Sequence, residues 1–198
     1  MVDGQRRMAM RQVQDEMRDL QDTSDGEPPF PIKYYSVQPN RWTFQSDKIR
    51  EWVESHLHGK VLNACAGKTK LSHAGEIHRN DYNPERDADT HVDVIEIAGH
   101  FTPNTFDCIV FDPPFSSHQA DSSYDGVQVA EIGQAMREFD QLLREGGTVI
   151  QMGFTTTCMP GELDYTRQEV AIFNTLGRMN DWLGTVDKRM SGDLRTYD

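Results

Sequence analysis

Residues 106–115 read Phe106-Asp107-Cys108-Ile109-Val110-Phe111-Asp112-Pro113-Pro114-Phe115. The apolar run from Cys108 to Phe111 predicts a buried strand. Pro113 and Pro114 stop it, because neither can donate to a ladder and each fixes its own φ near about −65°. The result is a stiff turn that leaves a carboxylate (Asp112), a carbonyl (Pro113) and a ring (Phe115) at the carboxyl end of a strand. In open α/β sheets that edge is where ligands bind. On its own the turn could also simply close an ordinary buried strand, so the flanking sequence has to be read with it.

Upstream, Ser46 is placed to cap a helix running to about His58, with Ile49, Trp52, Val53 and Leu57 as its buried stripe and Gly59 as its stop. Lys60 to Ala64 predicts the first strand, followed by a turn and a helix from about Lys70. Glu76 to Arg79 predicts a short strand leading into Asn80-Asp81-Tyr82-Asn83-Pro84, and Val92 to Ile97 holds an element that is either helical or irregular. Downstream, a polar loop spans Ser116 to Gly126. An amphipathic helix follows with Val129, Ile132, Met136, Phe139, Leu142 and Leu143 inward, ended by Gly146-Gly147. A strand is expected over Thr148 to Phe154, a helix around Gln168 to Leu176, and a strand near Trp182 to Val186. Alternating helices and short apolar strands imply an α/β fold with a mostly parallel twisted sheet and helices on both faces.

The chain has 198 residues, most simply one domain. Residues 1–27 form a polar, charge-rich extension in which Met10, Val13, Met17 and Leu20 follow helical spacing; it either forms a short helix or is disordered. The folded domain is expected over 28–198, opening with an extended segment that carries Tyr34, Tyr35, Trp42 and Phe44. Asp and Glu number 32 against 20 Lys and Arg, a net charge of −12, and Arg outnumbers Lys more than two to one. Dense carboxylate with sparse lysine fits a halophilic source, where salt screens self-repulsion; the alternative is an ordinary acidic cytosolic protein. Net acidity argues against a broad phosphate-binding face but allows a local basic strip. Cys65, Cys108 and Cys158 are scattered in apolar surroundings and read as reduced core residues. No Cys/His spacing suggests a metal. With no signal peptide or long apolar run, a cytoplasmic protein is expected.

The stretch Val61-Leu62-Asn63-Ala64-Cys65-Ala66-Gly67-Lys68-Thr69 encodes strand, small-residue turn and helix start. Ala64, Ala66 and Gly67 allow a ligand close to the backbone. Asp81 falls at the next strand end, placed for the two hydroxyls of a ribose, and Asp93 in the following loop could accept an adenine amino group. The Asp112 turn suits an exocyclic amine of a planar base, whose lone pair is delocalised into the ring. Asp112 and the Pro113 carbonyl could each accept one N–H, stabilising the developing charge, while Phe115 stacks on the base.

In these residues the chain resembles the class I S-adenosylmethionine-dependent methyltransferases, specifically the amino-methyltransferases that modify adenine or cytosine in DNA. The resemblance runs from about Trp42 to Val186. Thr43-Phe44 and the next helix match the segment before the cofactor loop, Val61 to Thr69 the loop itself, Asn80 to Pro84 the ribose acid, and Asp112 to Phe115 the catalytic turn. It implies a Rossmann-like methyltransferase fold with S-adenosylmethionine as cofactor. The implied cofactor contacts are Phe44, Asn63, Ala64, Cys65, Ala66, Gly67, Asp81 and Asp93; the implied catalytic residues are Asp112, Pro113, Pro114 and Phe115. Two positions depart from the family pattern: Asn63 stands for the usual acid and Thr69 for the second glycine. No separate target-recognition domain fits between the motifs, so specificity would come from the Ser116–Gly126 loop, the termini, a homodimer partner or a separate specificity subunit.

The implied substrate is DNA, at adenine N6 or cytosine N4. RNA of the ribosomal guanine-N2 type is the runner-up, and a protein glutamine amide a distant third. A non-catalytic domain that binds cofactor or nucleic acid is the rival of another class. Gly67-Lys68-Thr69 does not make a phosphate loop, because Leu62 stands where that motif needs glycine. His118 and Ser116-Ser117 could touch substrate or simply be solvated loop residues.

Overall fold

The computed structural model describes residues 29–38, 40, 42–113, 132–156, 159–177 and 180–191. The chain divides into Met1–Pro31 and a unit spanning Ile32–Asp198, which holds every element below. The expected N-terminal helix, Pro114, Phe115, the Ser116–Gly126 loop with His118, Val129 and Cys158 lie outside the described residues.

The strands are β1 (Ile32–Val37), β2 (Val61–Asn63), β3 (Ile77–Arg79), β4 (Phe106–Phe111), β5 (Leu143–Gly153), β6 (Tyr165–Thr175) and β7 (Trp182–Arg189). They form one seven-stranded sheet in the order β1-β6-β7-β5-β4-β2-β3. Only the pairings of β7, with β5 and β6, are antiparallel; the other neighbours run parallel. Helices α1 (Asp47–His56) and α2 (Ile132–Leu142) cover opposite faces.

Strand β4 demonstrates the two faces directly, because successive side chains of a strand point to opposite sides. Cys108 and Val110 pack with Ile49, Trp52 and Val53 of α1, whereas Ile109 and Phe111 pack with Met136 and Phe139 of α2. This two-sided burial is why residues 108–111 read as a continuous apolar run instead of an alternating one. No helix among the described residues is long and apolar enough to cross a membrane.

Three stretches differ from the sequence-based expectation. The helix expected around Gln168 to Leu176 is strand β6, paired on one side with β1 and on the other with β7. Its Val170, Ile172, Phe173 and Thr175 are β-branched or aromatic and suit a pleated surface enclosed by neighbours. The helix expected from Lys70 is absent, and residues 68–76 run as irregular chain. Only Leu71 of that stretch is buried, so a helix there would have no apolar stripe to stabilise it. The segment is held instead by individual polar contacts, including the Ser72 N–H donating to Glu54 Oε1 at 2.7 Å. Finally, Leu143 and Gly146-Gly147, expected to close the helix, belong to strand β5; the extended segment expected before Trp42 holds an edge strand, β1.

A buried polar contact ties α1 to the sheet. Trp52 Nε1 donates to Glu169 Oε1 at 2.6 Å, and Lys33 Nζ meets Glu169 Oε2 at 2.8 Å. Burial alone would raise the Glu169 carboxyl, but the hydrogen bonds from Lys33 and Trp52 outweigh it and hold the group below the usual carboxylate range. The Trp52 ring packs against β7 at Gly184, where a Cβ would stand 2.5 Å from a ring carbon. Phe173 meets the same ring edge-on at 5.6 Å, so the indole has no room to retreat. Gly184→Ala should therefore destabilise the protein by about 1–3 kcal/mol, the range for overpacking a filled core. Urea denaturation checks this: the midpoint falls while the slope is unchanged.

Candidate active site

The chain leaves β2 toward β3 on one side and later returns to β4 on the other, so the strand order reverses between β2 and β4. A crevice opens outside the carboxyl ends of the strands at such a switch point. Asn63 ends β2, and Asp112 follows the last residue of β4. Asn63 is in register with Val110, and the Ala64 N–H donates to the Val110 carbonyl at 2.9 Å. The small-residue bend and the proline turn thus leave the sheet side by side from adjacent strands.

The bend itself is built by polar groups from the neighbouring strand end. The Ala66 N–H donates to the Asn80 carbonyl at 2.8 Å, and the Gly67 N–H to Asp81 Oδ2 at 2.8 Å. Gly67 has φ of 56°, a left-handed conformation that favours glycine. Asp81 Oδ1 accepts the Asn83 N–H at 3.0 Å, so the buried Asp81 carboxylate shapes both the bend and its own turn. Asn80 organises the third wall. Its Nδ2 donates to the carbonyls of Ala64 (3.0 Å) and Val92 (2.9 Å), and its Oδ1 accepts from Thr90 and from the Val92 N–H. Asp93 follows, with Oδ1 taking the Ile95 N–H at 3.2 Å.

Three acids from three different loops converge here. The fields of Asp81, Asp112 and Asp93 all act on the Cys65 thiol, which burial first and then these carboxylates push well above its usual range. Cys65 is therefore a poor nucleophile, and all three acids lie near enough to bear on it. None of the three acids forms an ion pair among the described residues.

Two buried side chains at this point lack partners. Asn63 is fully buried, and neither its Oδ1 nor its Nδ2 makes a hydrogen bond; Asp112 Oδ1 is likewise unmatched. Buried polar groups are nearly always satisfied, and leaving one unmade costs about 1–3 kcal/mol. Both belong to the α1 face of the sheet, as their neighbours Val61 and Val110 do. Asp112 receives a hydrogen bond from the Thr43 hydroxyl, yet burial dominates and pushes its carboxyl up to about 7.

Of the residues singled out from sequence, Asn63, Ala64, Cys65, Ala66, Gly67, Asp81, Asp93, Asp112 and Pro113 fall at this one edge. Phe44 packs in the α1-side core, with Thr43 beside it turned to Asp112. Pro114 and Phe115 lie outside the described residues. The free helix N-terminus expected behind the bend is missing, so any ligand meets loop backbone and side chains there. Two residues were named only as members of a motif and given no role of their own: Thr43 in Thr43-Phe44, and Asn80 in Asn80 to Pro84.

No family model and no curated protein matches the sequence. Among solved structures, the chain is similar to the putative methyltransferase yhhF from Escherichia coli, with TM-score 0.52 and 9% identity over 77% of this chain and 90% of that one. It is also similar to a putative methyltransferase from Streptococcus mutans in complex with SAH, with TM-score 0.51 and 12% identity over 76% and 99%. A third is the Burkholderia thailandensis 1,6-didemethyltoxoflavin-N1-methyltransferase with bound S-adenosylhomocysteine, with TM-score 0.50 and 16% identity over 72% and 76%. At such identities the shared property is the fold: this chain has the Rossmann-like methyltransferase fold.

Proposed function

We propose that the protein is an S-adenosylmethionine-dependent methyltransferase that modifies an exocyclic amine of a nucleic-acid base, adenine N6 or cytosine N4 in DNA. The observation that carries the reading is the unmatched, buried Oδ1 of Asp112 next to the unmatched amide of Asn63. Two orphaned groups at a sheet's switch point are what a site looks like when its ligands supply the missing partners.

The residues fit the cofactor. Asn63 offers a donor and an acceptor to the methionine end, the bend from Ala64 to Gly67 admits close approach, and Asp81 and Asp93 would take the ribose and the adenine. A cluster of carboxylates without cationic partners favours a positively charged ligand. When bound, the cofactor supplies an electrophilic methyl group on a sulfonium.

The chain's own residues prepare the amine. Asp112 accepts one N–H and the Pro113 carbonyl the other, which turns the nitrogen lone pair out of conjugation and toward the cofactor pocket. Alignment of the two reactants in one crevice provides much of the acceleration. Transfer of the methyl group would turn the sulfonium into a neutral thioether and leave the amine cationic, and Asp112 would take its surplus proton. Asp112 must be ionised to take that proton. With substrates below saturation, activity should therefore rise with pH and level off above about 7, following the raised Asp112 carboxyl. A rate profile from pH 5 to 9 reads this as roughly one ionisation.

The decisive experiment incubates the full chain with tritiated S-adenosylmethionine and either genomic DNA or total RNA, at low and high salt. Nucleoside mass spectrometry then identifies the product. N6-methyladenine or N4-methylcytosine from DNA is expected; label confined to RNA moves the assignment to RNA, and label in neither overturns it.

A further inference from the structure

We propose that Arg79 is a positioning residue of the cofactor crevice, whose guanidinium fixes the bend after β2 against the loop between Asp81 and Asp93 and so shapes both walls before S-adenosylmethionine arrives. The inference rests on the methyltransferase reading and names what holds that site in form. Arg79 Nη2 donates to the Gly67 carbonyl at 3.1 Å, Nη1 to the Thr69 carbonyl at 3.3 Å and Nε to the Asp87 carbonyl at 2.9 Å.

The bend needs this support because no helix follows it. A helix begun at Lys70 would give the Thr69 carbonyl the His73 N–H, four residues on. Residues 68–76 are irregular instead, and among the described residues no backbone N–H reaches the carbonyl of Gly67 or of Thr69. Arg79 supplies both missing partners. Gly67, with its φ of 56°, is thereby held on both sides: its N–H by Asp81 Oδ2 at 2.8 Å, its carbonyl by Arg79.

The same residue secures the opposite wall. The Arg79 N–H donates to Asp89 Oδ2 at 2.8 Å, and the Arg79 carbonyl accepts the N–H groups of Asp89 (2.8 Å) and Thr90 (3.2 Å). Arg79 ends β3 in register with Asn63, the end of β2, so it stands where the two segments part. The other tie between them joins Lys70 to Asp87 at 2.6 Å, with side chains 69% and 78% exposed. An ion pair that open to water adds little. A planar guanidinium presents its donors in a fixed fork and can span carbonyls of two segments, which the point charge of an ammonium cannot. Its hydrogen bonds among the described residues all end on backbone carbonyls, so Arg79 acts on the cofactor through the bend.

Walls fixed in advance spare the ligand the cost of ordering them. Arg79→Lys and Arg79→Gln should each weaken S-adenosylmethionine binding about tenfold by calorimetry on the full chain. With DNA as substrate, KM for the cofactor should rise by the same factor while kcat stays near the wild-type value. Hydrogen exchange read by mass spectrometry without cofactor should quicken in peptides covering residues 64–70 and 85–90 and remain unaltered in those covering β4 and β5. Saturating cofactor should restore the lost protection.

Wild-type affinity in both variants overturns the proposal. Weaker binding with unaltered exchange at the bend does so too, since Arg79 would then touch the cofactor itself. Faster exchange throughout β4 and β5 would make Arg79 a residue of global stability, and a fall in kcat with KM unchanged is equally fatal. A wild-type chain that binds no S-adenosylmethionine sinks the methyltransferase reading and this role with it. A wild-type chain that binds cofactor beside variants of equal affinity removes the Arg79 role alone.

Discussion

Asp112→Asn is expected to slow methyl transfer about 10²-fold or more, with binding of S-adenosylmethionine retained, and to raise the melting temperature in mildly alkaline buffer. The first effect follows from removing the charge that accepts the amine N–H. The second follows from the burial of Asp112. Its folded carboxyl holds its proton up to about pH 7, against the ordinary value of 3.8 that the unfolded chain would show. Between those values the folded state binds more protons, so its contribution to stability falls as pH rises from about 4 to about 7 and stays level above. The full difference corresponds to about 4 kcal/mol at most. Asn carries no charge to desolvate, so the variant should gain on the wild type at pH 8 and show little advantage at pH 4. Asp112→Ala should lose activity as severely. Wild-type turnover in either variant, or an Asn variant that melts lower at pH 8, would remove Asp112 from the catalytic role.

The second large effect is expected at Asn63. Its amide is buried without a partner, which costs about 1–3 kcal/mol, and the position faces the α1-side core next to Val61 and Val110. Asn63→Leu replaces the amide by an apolar group of similar size. The cofactor-free protein should become more stable, or at least no less so, while S-adenosylmethionine affinity falls by about one to two orders of magnitude, as when a hydrogen-bonded ligand group loses a buried partner. Thermal melts with and without cofactor read both: the variant should melt higher alone and lose most of the upward shift that cofactor gives the wild type. Unaltered cofactor affinity would make Asn63 a structural residue.

Both residues show where sequence was sufficient. Strands β2 and β4 and the turns that end them were legible because their signals are local: a short apolar run, then small residues or two prolines. Asp81 could be placed just past the end of β3 for the same reason, and Asp93 in the loop that follows. The sequence-based reading failed where a segment's state depends on its neighbours. Residues 165–175 carry no strong period of their own, and they are a strand because β1 and β7 flank them and Lys33 and Trp52 satisfy Glu169. Residues 68–76 are irregular because nothing is available to bury a helical stripe there.

What the amino-acid order determined by itself was strands β2, β3, β4 and β7, part of β5, and the chemistry of the groups at the ends of β2 and β4, since these depend on residues close together in the chain. Only the tertiary structure decided that Asn63 and Asp112 stand unmatched on one face at a switch point, and that Thr43 turns to Asp112. Those properties arise from packing between segments tens of residues apart, where burial removes water and leaves a polar group either partnered or open to a ligand.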